Sequence, residues 1–592
     1  MVSRFLTLTS YDDALEILHT SAPLSYQSER VQVTKSLGRI LYQPVYAKLT
    51  VPQAAISQRD GYAVFASDTL QARDLEPIML QKYAFVHTGS EIPHGYDAVI
   101  MQEDVRIEPD QILILKPARP GQNIQKAGSE TNLGQMILPS GHVISAVDIG
   151  AMVAYGITTI EAQKLSVTLL PVGDELKEPC TAPGPGEAIE SNVLMFKAYL
   201  ESFGISAVMN PIIPDSPQEI EAALHQAVMD SSFVIISGGT STGRRDYTKS
   251  VLSENGTILY HGIAMRPGRT TLAAVVDGVP VFGLPGVPSG AISVFEEVIL
   301  PWLSHCGLPV PMNHIIQATL SESIPSDIGV DDFIQMAVGA VHNTYHAIML
   351  PRGNGQMTSV RANGILHINH RTEGLKQGDK CNIRLIRPYP DPKYVLLVSG
   401  ISDLIIDVLD QFFRKNQMRL YCRPAKADAV LLGMKNKGIH GGIIGRFHIH
   451  DTYYDIDSSL LLEPSSAIRI ADRVYIMASF QGDDEREEQA HAMQYDAFWM
   501  HEAEIVQKIR KKEIDAGPCS EYLAAEYNLS GPVIGHQHID LIIRNEDIES
   551  EHIKNVQLLL SSEAWKREVD LVTGYSAEKS GEISLLTRDV TV

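Results

Sequence analysis

ISGGTSTGRRDYTKSVL (236–252) continues the apolar run Phe233-Val234-Ile235-Ile236 and ends in a helix-like segment from Tyr247 to Leu252. An apolar run, a glycine turn and a helix together make the basic unit of an α/β domain. The turn holds Ser237, Gly238 and Gly239, then hydroxyls at Thr240, Ser241 and Thr242, then Gly243, Arg244, Arg245 and Asp246. Two readings stand at this point. Backbone N–H groups ahead of a helix, with hydroxyls, cations and a carboxylate, suit an anion site with a metal carboxylate. An ordinary strand-to-helix turn with solvated charges has the same residues.

The flanking sequence repeats the unit. LSVTLLPVG reads as a strand, SNVLMFKAYLESFG as a helix with a Ser or Asn cap and a glycine stop, ISAVMNPIIP as a strand, and PQEIEAALHQAVMD as an amphipathic helix. VPVFGLPG and PSGAISVFEEVILPWL repeat the pair, with Pro288 near the helix start. This alternation predicts a mostly parallel sheet covered on both faces, with ligands beyond the carboxyl ends of its strands. Three glycine turns fall there: Gly173-Asp174-Glu175, Gly238-Gly239 and Gly283-Leu284-Pro285-Gly286. Asp174, Glu175 and Asp246 are placed to hold Mg²⁺ against a phosphate. MRPGRTTL sets Arg266 and Arg269 around Pro267-Gly268, a turn able to aim both guanidinium groups at one oxyanion. The plainer reading is two solvated arginines. The chain has no P-loop, dinucleotide fingerprint or nucleophile elbow, which argues against those three enzyme classes.

The 592 residues exceed one core, so several domains are expected. Residues to about 160, and again 313–388, are rich in short β-branched segments between Gly and Pro. RPYPDPK (387–393) reads as an extended linker, and α/β patterning resumes after it. A net charge of −22 leaves no general nucleic-acid surface. The five cysteines, Cys180, Cys306, Cys381, Cys422 and Cys519, form no C-x-x-C pair, as expected for a reducing compartment. MVSRFLTLTSYDDALEIL lacks the apolar core of a signal peptide, and no apolar run approaches a membrane span. The expectation is a cytoplasmic chain without nucleic-acid or membrane partners.

Nine segments now fall into one order. They are SQRDGYAV (57–64), VHTGSEIPHGYDAVIMQED (86–104), GQNIQKAGSETNLGQMILPSGHVI (121–144), PVGDEL (171–176), IESN (189–192), SGGTSTGRRDYTK (237–249), MRPGRT (265–270), GLPGVPSGA (283–291) and GNGQMTSVRANGIL (353–366). This series resembles the molybdopterin molybdenumtransferase family, which includes the enzyme domain of gephyrin, over about residues 1–388. The resemblance implies insertion of molybdate or tungstate into adenylylated molybdopterin, with Mg²⁺ and release of AMP. It implies catalytic roles for Asp60, Thr88 and Asp246, and metal binding by Asp246 and Glu190. Gly238, Gly239, Ser241, Gly243, Asp174, Glu175, Arg266, Arg269, Pro285, Gly286, Thr358 and Ser359 would bind the pterin substrate or the oxyanion. A homodimer is implied, with a molybdopterin adenylyltransferase as a further partner. The alternative is a non-catalytic sensor or carrier that binds molybdopterin or oxyanion.

The chain departs from the family pattern at Arg59, Val172, Thr270, Val287 and Gln335, and two family lysines are Arg266 and Arg269. Arginine's fork does not replace a compact ammonium without consequence. The domains implied are an elongated one (1–23 and 142–164), an inserted β-rich one (24–141), a doubly wound α/β molybdopterin-binding one (165–308) and a β-barrel-like one (309–390). Residues 394–592 more faintly resemble a periplasmic-binding-protein-like α/β domain, through SGISDLIIDVL (399–409), HIDLIIR (538–544) and WKREVDLVTGYSAEKSGEI (565–583). An Arg- and Gly-rich ligand loop would be expected near 480–492, where this chain has the acidic FQGDDEREEQAHAM. His448 with His450, and His536 with His538, would share strand faces, as packed histidines or as a metal pair.

Overall fold

A computed structural model describes residues 8–108, 111–239, 247–310, 314–342, 344–353, 355–386, 391–401, 403–425, 427–435, 437–449, 452–454, 464–480, 502–511, 513–514 and 516–586. The central domain holds a six-stranded sheet. Its spatial order is Ser206–Met209, Ser166–Pro171, Phe233–Ser237, Val279–Leu284, Leu272–Val276 and Thr257–His261. The first four strands are parallel. The last two run antiparallel to their neighbours. Asp277-Gly278 makes that reversal, because both residues have positive φ (48° and 80°) and Val276 pairs directly with Val279. A two-residue Asp-Gly loop of this hand matches the natural twist of a hairpin.

Strand pleating assigns alternate residues to opposite cores. Phe233 and Ile235 join one cluster with Phe196, Phe282 and Trp302. Val234 and Ile236 join another with Leu224, Val251 and Val281. Helices Asn192–Ser202, Pro217–Asp230 and Tyr247–Asn255, and the helical run from Pro288 to His305, cover these two faces. The continuous apolar run at 233–236 therefore reflects burial on both sides.

The opening helix, Tyr11–Ser21, packs on the α/β core, burying Ala14 and Leu18 in that cluster. Its amphipathic stripe finds a larger apolar partner there. Tyr11 Oη donates to the Glu297 carbonyl (2.7 Å), and Trp302 Nε1 donates to the Ala22 carbonyl (3.0 Å). Gln27–Gln32 pairs antiparallel with Thr159–Lys164. Between them, Gly61–Val64 lies between Ala84–Val86 and Ala98–Met101. A side chain at Gly61 would meet the Ile100 carbonyl at 2.0 Å, so the Asp-Gly-Tyr motif needs its glycine.

Residues 314–386 form a closed barrel. His314–Leu320, Thr344–Met349, Asp331–Val341, Gly364–Ile368 and Lys380–Leu385 pair in a ring. Met265–Arg266 of the α/β domain adds to this barrel beside Asp331 and Asp332.

The C-terminal domain has a ten-stranded sheet. Val395–Gly400, Arg419–Pro424, Gly441–Ile449, Leu404–Lys415 and Glu551–Leu560 build one lobe. Ala516–Ser520, Glu502–Arg510 and Glu521–Glu526 build another around Ile476, Ile505 and Cys519. The long strands Ser465–Phe480 and Val533–Arg544 run through both lobes.

The expected extended linker differs from what is found. Residues 387–390 lie outside the described residues, but Pro392–Tyr394 makes a 3-10 turn and Val395 enters the core at once. Val395, Leu397, Tyr421 and Val430 share one apolar cluster with Ala337, Val341, Ile348 and Leu350 of the barrel. His440 ties the same seam, with Nδ1 accepting from the Leu397 N–H (3.0 Å) and Nε2 facing the Ala340 carbonyl (3.0 Å). Burial pushes its pKa down to about 3, which leaves a neutral ring.

Candidate functional site

The three glycine turns meet at the carboxyl ends of the central parallel strands. Asn192, the first residue of its helix, is the tie. Its buried amide donates to Ser237 Oγ (3.2 Å) and to the Gly286 carbonyl (2.9 Å). Its Oδ1 has no hydrogen-bond partner among the described residues. Gly238 has φ 98°, and a Cβ there would lie 2.1 Å from the Val172 carbonyl oxygen. Gly239 has φ 65°, and a Cβ would reach Thr248 Oγ1 at 2.4 Å. Both positions therefore need glycine on two independent grounds. Pro285 is buried and Gly286 is exposed, with a Cβ position 3.7 Å from Gly238 Cα. Ser241, Gly243 and Asp246, with Arg244 and Arg245, lie outside the described residues.

The acidic candidates divide. Asp174 and Glu175 are exposed at the first turn, and Asp174 Oδ1 accepts from the Asp215 N–H (3.1 Å). Glu190, expected as a metal ligand, is buried, and its Oε1 accepts from the Val193 N–H at 2.8 Å. Burial raises its pKa, and hydrogen bonds from the Val193 and Asn192 N–H groups oppose that rise. Its role in this geometry is to hold the first turn of the helix. Among the described residues no three of His, Cys, Asp and Glu gather as metal ligands. Asp246, the other expected metal ligand, lies outside the described residues.

Beyond the turns a cleft of about 240 Å³ separates the Pro288–His305 run from the barrel. Arg266, Ser293, Glu296, Asp332, Arg352 and Thr358 are among its walls. Arg266 and Arg269 do not converge as a pair. Arg266 Nη2 meets Asp332 Oδ2 at 2.5 Å and its Nη1 meets Asp327 at 2.8 Å, while Arg269 is exposed. The barrel strand supplies Asp332 and the loop before it supplies Asp327, so the arginine's target is set from outside its own turn. Hydrogen bonding to Asp332 raises the Arg266 pKa. Arg352, which no motif singled out, takes the place beside it and meets Asp332 Oδ2 at 2.9 Å. Its only sequence signal is the glycine-rich turn PRGNGQ. Asp332 is 2 % exposed, against 37 % for Arg266 and 41 % for Arg352, so the cations present their outer edges to the cleft.

Gln335, at the family arginine position, also lines the cleft and donates to Ser359 Oγ (2.6 Å). Thr358 Oγ1 donates to the Pro351 carbonyl (3.2 Å). Gln356 Nε2 donates to Ser191 Oγ (2.8 Å), which joins the barrel to the turn before Asn192. Ser293 Oγ is buried without a hydrogen-bond partner among the described residues. Val287 takes the N-cap position of the Pro288 helix with no side-chain acceptor to offer.

Asp60 and Thr88 are both exposed in the β-rich region. Asp60 Oδ1 accepts from the Thr88 N–H (2.7 Å) and lies 3.6 Å from His87 Nδ1. The Thr88 N–H holds its pKa below the ordinary aspartate value. Among the described residues no hydrogen bond or ion pair joins Asp60 to the α/β domain. Of the histidine candidates, His450 lies outside the described residues and His536 is exposed. His538 is half-buried, and its Nδ1 faces Asp472 Oδ1 at 2.5 Å.

The profile "MoeA N-terminal region (domain I and II)" matches residues 9–156, and "Probable molybdopterin binding domain" matches residues 168–305. A molybdopterin molybdenumtransferase of Haemophilus influenzae is 29% identical over 312 residues, which is 50% of this chain and 77% of the relative. One of Staphylococcus aureus is 28% identical over 380 residues, which is 60% of this chain and 90% of the relative. A solved structure of the molybdopterin biosynthesis MoeA protein of Pyrococcus horikoshii aligns with TM-score 0.56 at 28% identity, covering 65% of this chain and 100% of that one. A second aligns with TM-score 0.51 at 26% identity, covering 64% and 100%. Neither profile reaches past residue 305. The ordered motifs, the glycine turns tied by Asn192 and these likenesses lead to one conclusion: residues 9–156 and 168–305 carry the MoeA N-terminal and molybdopterin-binding regions, and the chain is similar to molybdopterin molybdenumtransferases.

Proposed function

We propose that this protein acts in molybdenum cofactor biosynthesis as a molybdopterin molybdenumtransferase. It inserts molybdate or tungstate into adenylylated molybdopterin and releases AMP. The observation that carries this reading is the junction at Asn192, where one side chain joins two glycine turns beside a cleft edged by Arg266 and Arg352. The turns offer backbone N–H groups to phosphate oxygens. The exposed edges of Arg266 and Arg352 offer charge to an oxyanion, with Asp332 holding both in place. Ser293 and Thr358 provide hydroxyls on the same walls.

Asp60 and Thr88 act in a homodimer, where the exposed Asp60 turn meets the partner's α/β domain. Asp246 serves as the functional carboxylate of the turn that opens this region. The C-terminal domain binds a small anionic ligand.

The test uses purified full-length protein with adenylylated molybdopterin, Mg²⁺ and molybdate. AMP release that depends on molybdate is the expected result. Tight pterin binding without AMP release would replace this reading with a non-catalytic carrier or sensor.

A further inference from the structure

Between the two lobes of the C-terminal domain, the long strand Ser465–Phe480 carries Arg473 and Tyr475 at its middle. Arg473 is 8 % exposed. On one side its Nη1 meets Asp403 Oδ2 (2.5 Å), the N-cap of the Leu404–Lys415 helix in the first lobe. On the other side its Nη2 meets Glu502 Oε1 (3.0 Å), the first residue of the Glu502–Arg510 helix in the second lobe. Arg473 Nη2 also donates to Gln537 Oε1 (2.5 Å) and Tyr475 Oη (2.5 Å), and its Nε is buried without a hydrogen-bond partner among the described residues.

The two carboxylates are held differently. Asp403 is 1 % exposed and caps its own helix through the Ile405 N–H (2.8 Å), with Tyr575 Oη donating to it at 2.8 Å. Its partners include its own helix as well as Arg473. The Glu502 carboxylate is 24 % exposed, and among the described residues its grip comes from groups on other elements. Arg473 and Tyr475 Oη hold Oε1. The Ser520 N–H (3.2 Å) and Ser520 Oγ (2.7 Å) donate to Oε2. A guanidinium, a phenol, a hydroxyl and a peptide N–H converging on two oxygens form a complete carboxylate receptor. Asp403 already balances Arg473, so one negative charge fills the receptor and a second would be in excess.

We infer that this interlobe site is a receptor for a small carboxylate, and that Glu502 occupies it as an internal stand-in which the free ligand displaces. Exchange of one carboxylate for another conserves charge and hydrogen bonds. The ligand therefore competes with a tethered group at high local concentration, and removal of Glu502 strengthens its binding. The inference deepens the anion-binding reading of the C-terminal domain, and it stands apart from turnover by the family-matched region.

The experiment titrates acetate, sulfate and molybdate calorimetrically into full-length wild type, Glu502→Ala and Glu502→Gln. Glu502→Gln keeps the side-chain volume, so the fold survives if the alanine variant loosens the lobe. Acetate affinity at least tenfold above wild type in the folded variants is expected, with the gain abolished by adding Ser520→Ala. No gain in either folded variant would overturn the site. A gain with sulfate or molybdate but not acetate would overturn its assignment to carboxylates. AMP release is measured in parallel. Its loss in wild type with the acetate gain intact would strike only at the transferase reading.

Discussion

The cleft beside Arg266 and the hinge around Arg473 are built from the same residue types, arginines on buried aspartates, yet they face opposite ways. In the cleft, Asp332 lies beneath two arginines that remain 37 % and 41 % exposed, and Ser293 Oγ has no hydrogen-bond partner among the described residues. In the hinge, the arginine side chain is 10 % exposed and the carboxylates surround it from both lobes. The cleft keeps cationic edges outward, so an anion can arrive without breaking an existing ion pair. The hinge keeps its cation inward, so an anion enters only by exchange. Desolvation makes that difference decisive, because removing one partner of a buried pair leaves an uncompensated charge.

The largest break in this comparison comes from Gly238→Ala. Its φ of 98° and the 2.1 Å approach to the Val172 carbonyl require the turn itself to move. Left-handed backbone alone costs about 1–2 kcal/mol. AMP release is expected to fall more than tenfold, with a lower thermal midpoint for the family-matched region. Unchanged turnover would remove the turn from the site.

Arg352→Ala tests the outward-facing side directly. It removes one of two cations on Asp332, and Arg266 still holds that carboxylate. A charge-assisted hydrogen bond contributes roughly 1.5–3 kcal/mol. The apparent KM for molybdate should therefore rise by about ten- to a hundredfold, with the thermal midpoint nearly unchanged. A collapse in stability with an unaltered KM would make the cleft another closed ion network.

The inward-facing side is read by pH. Burial favours the neutral acid at Glu502, but Arg473, Tyr475 and Ser520 together bring its pKa below the ordinary glutamate value. A carboxyl with a depressed folded pKa contributes stability that is present above the unfolded value. That stability is lost as pH falls through the folded one. Wild type should thus lose more thermal stability than Glu502→Gln between about pH 5 and pH 3. Parallel curves for the two proteins would show that Glu502 is not held in this way.

The smallest effect is expected where an ion pair joins the barrel to the C-terminal domain at the surface. Arg361 Nη2 and Asp407 Oδ1 are 3.3 Å apart, and both side chains are largely exposed. Arg361→Ala should change stability by less than about 0.5 kcal/mol, measured by denaturant midpoint. The buried Val395 and Leu397 carry that seam, and Leu397→Ala should cost roughly 2–5 kcal/mol there.

The central sheet was legible because its signals are local. Buried parallel strands read as apolar runs, and the glycine turns at their ends are required by φ and by close backbone approach. The antiparallel edge was missed, although Asp277-Gly278 between apolar runs is its mark. The site was legible in part. Asn192 stood inside a recognised motif, but its partners are 45 and 94 residues away. Arg352 carried no motif, since nothing near it in the chain reveals Asp332.

Where strands turn into helices, which turns need glycine and the order of the motifs can all be read along the chain. Those depend on backbone conformation and periodicity, which act over a few residues. The fold settled which charges meet. Arg266 reaches Asp332 across 66 residues, and Arg473 reaches Asp403 across 70. It also decided that the C-terminal domain shares a core with the barrel. An ion's partner is chosen by which elements pack together, and packing is a property of surfaces far apart in the chain.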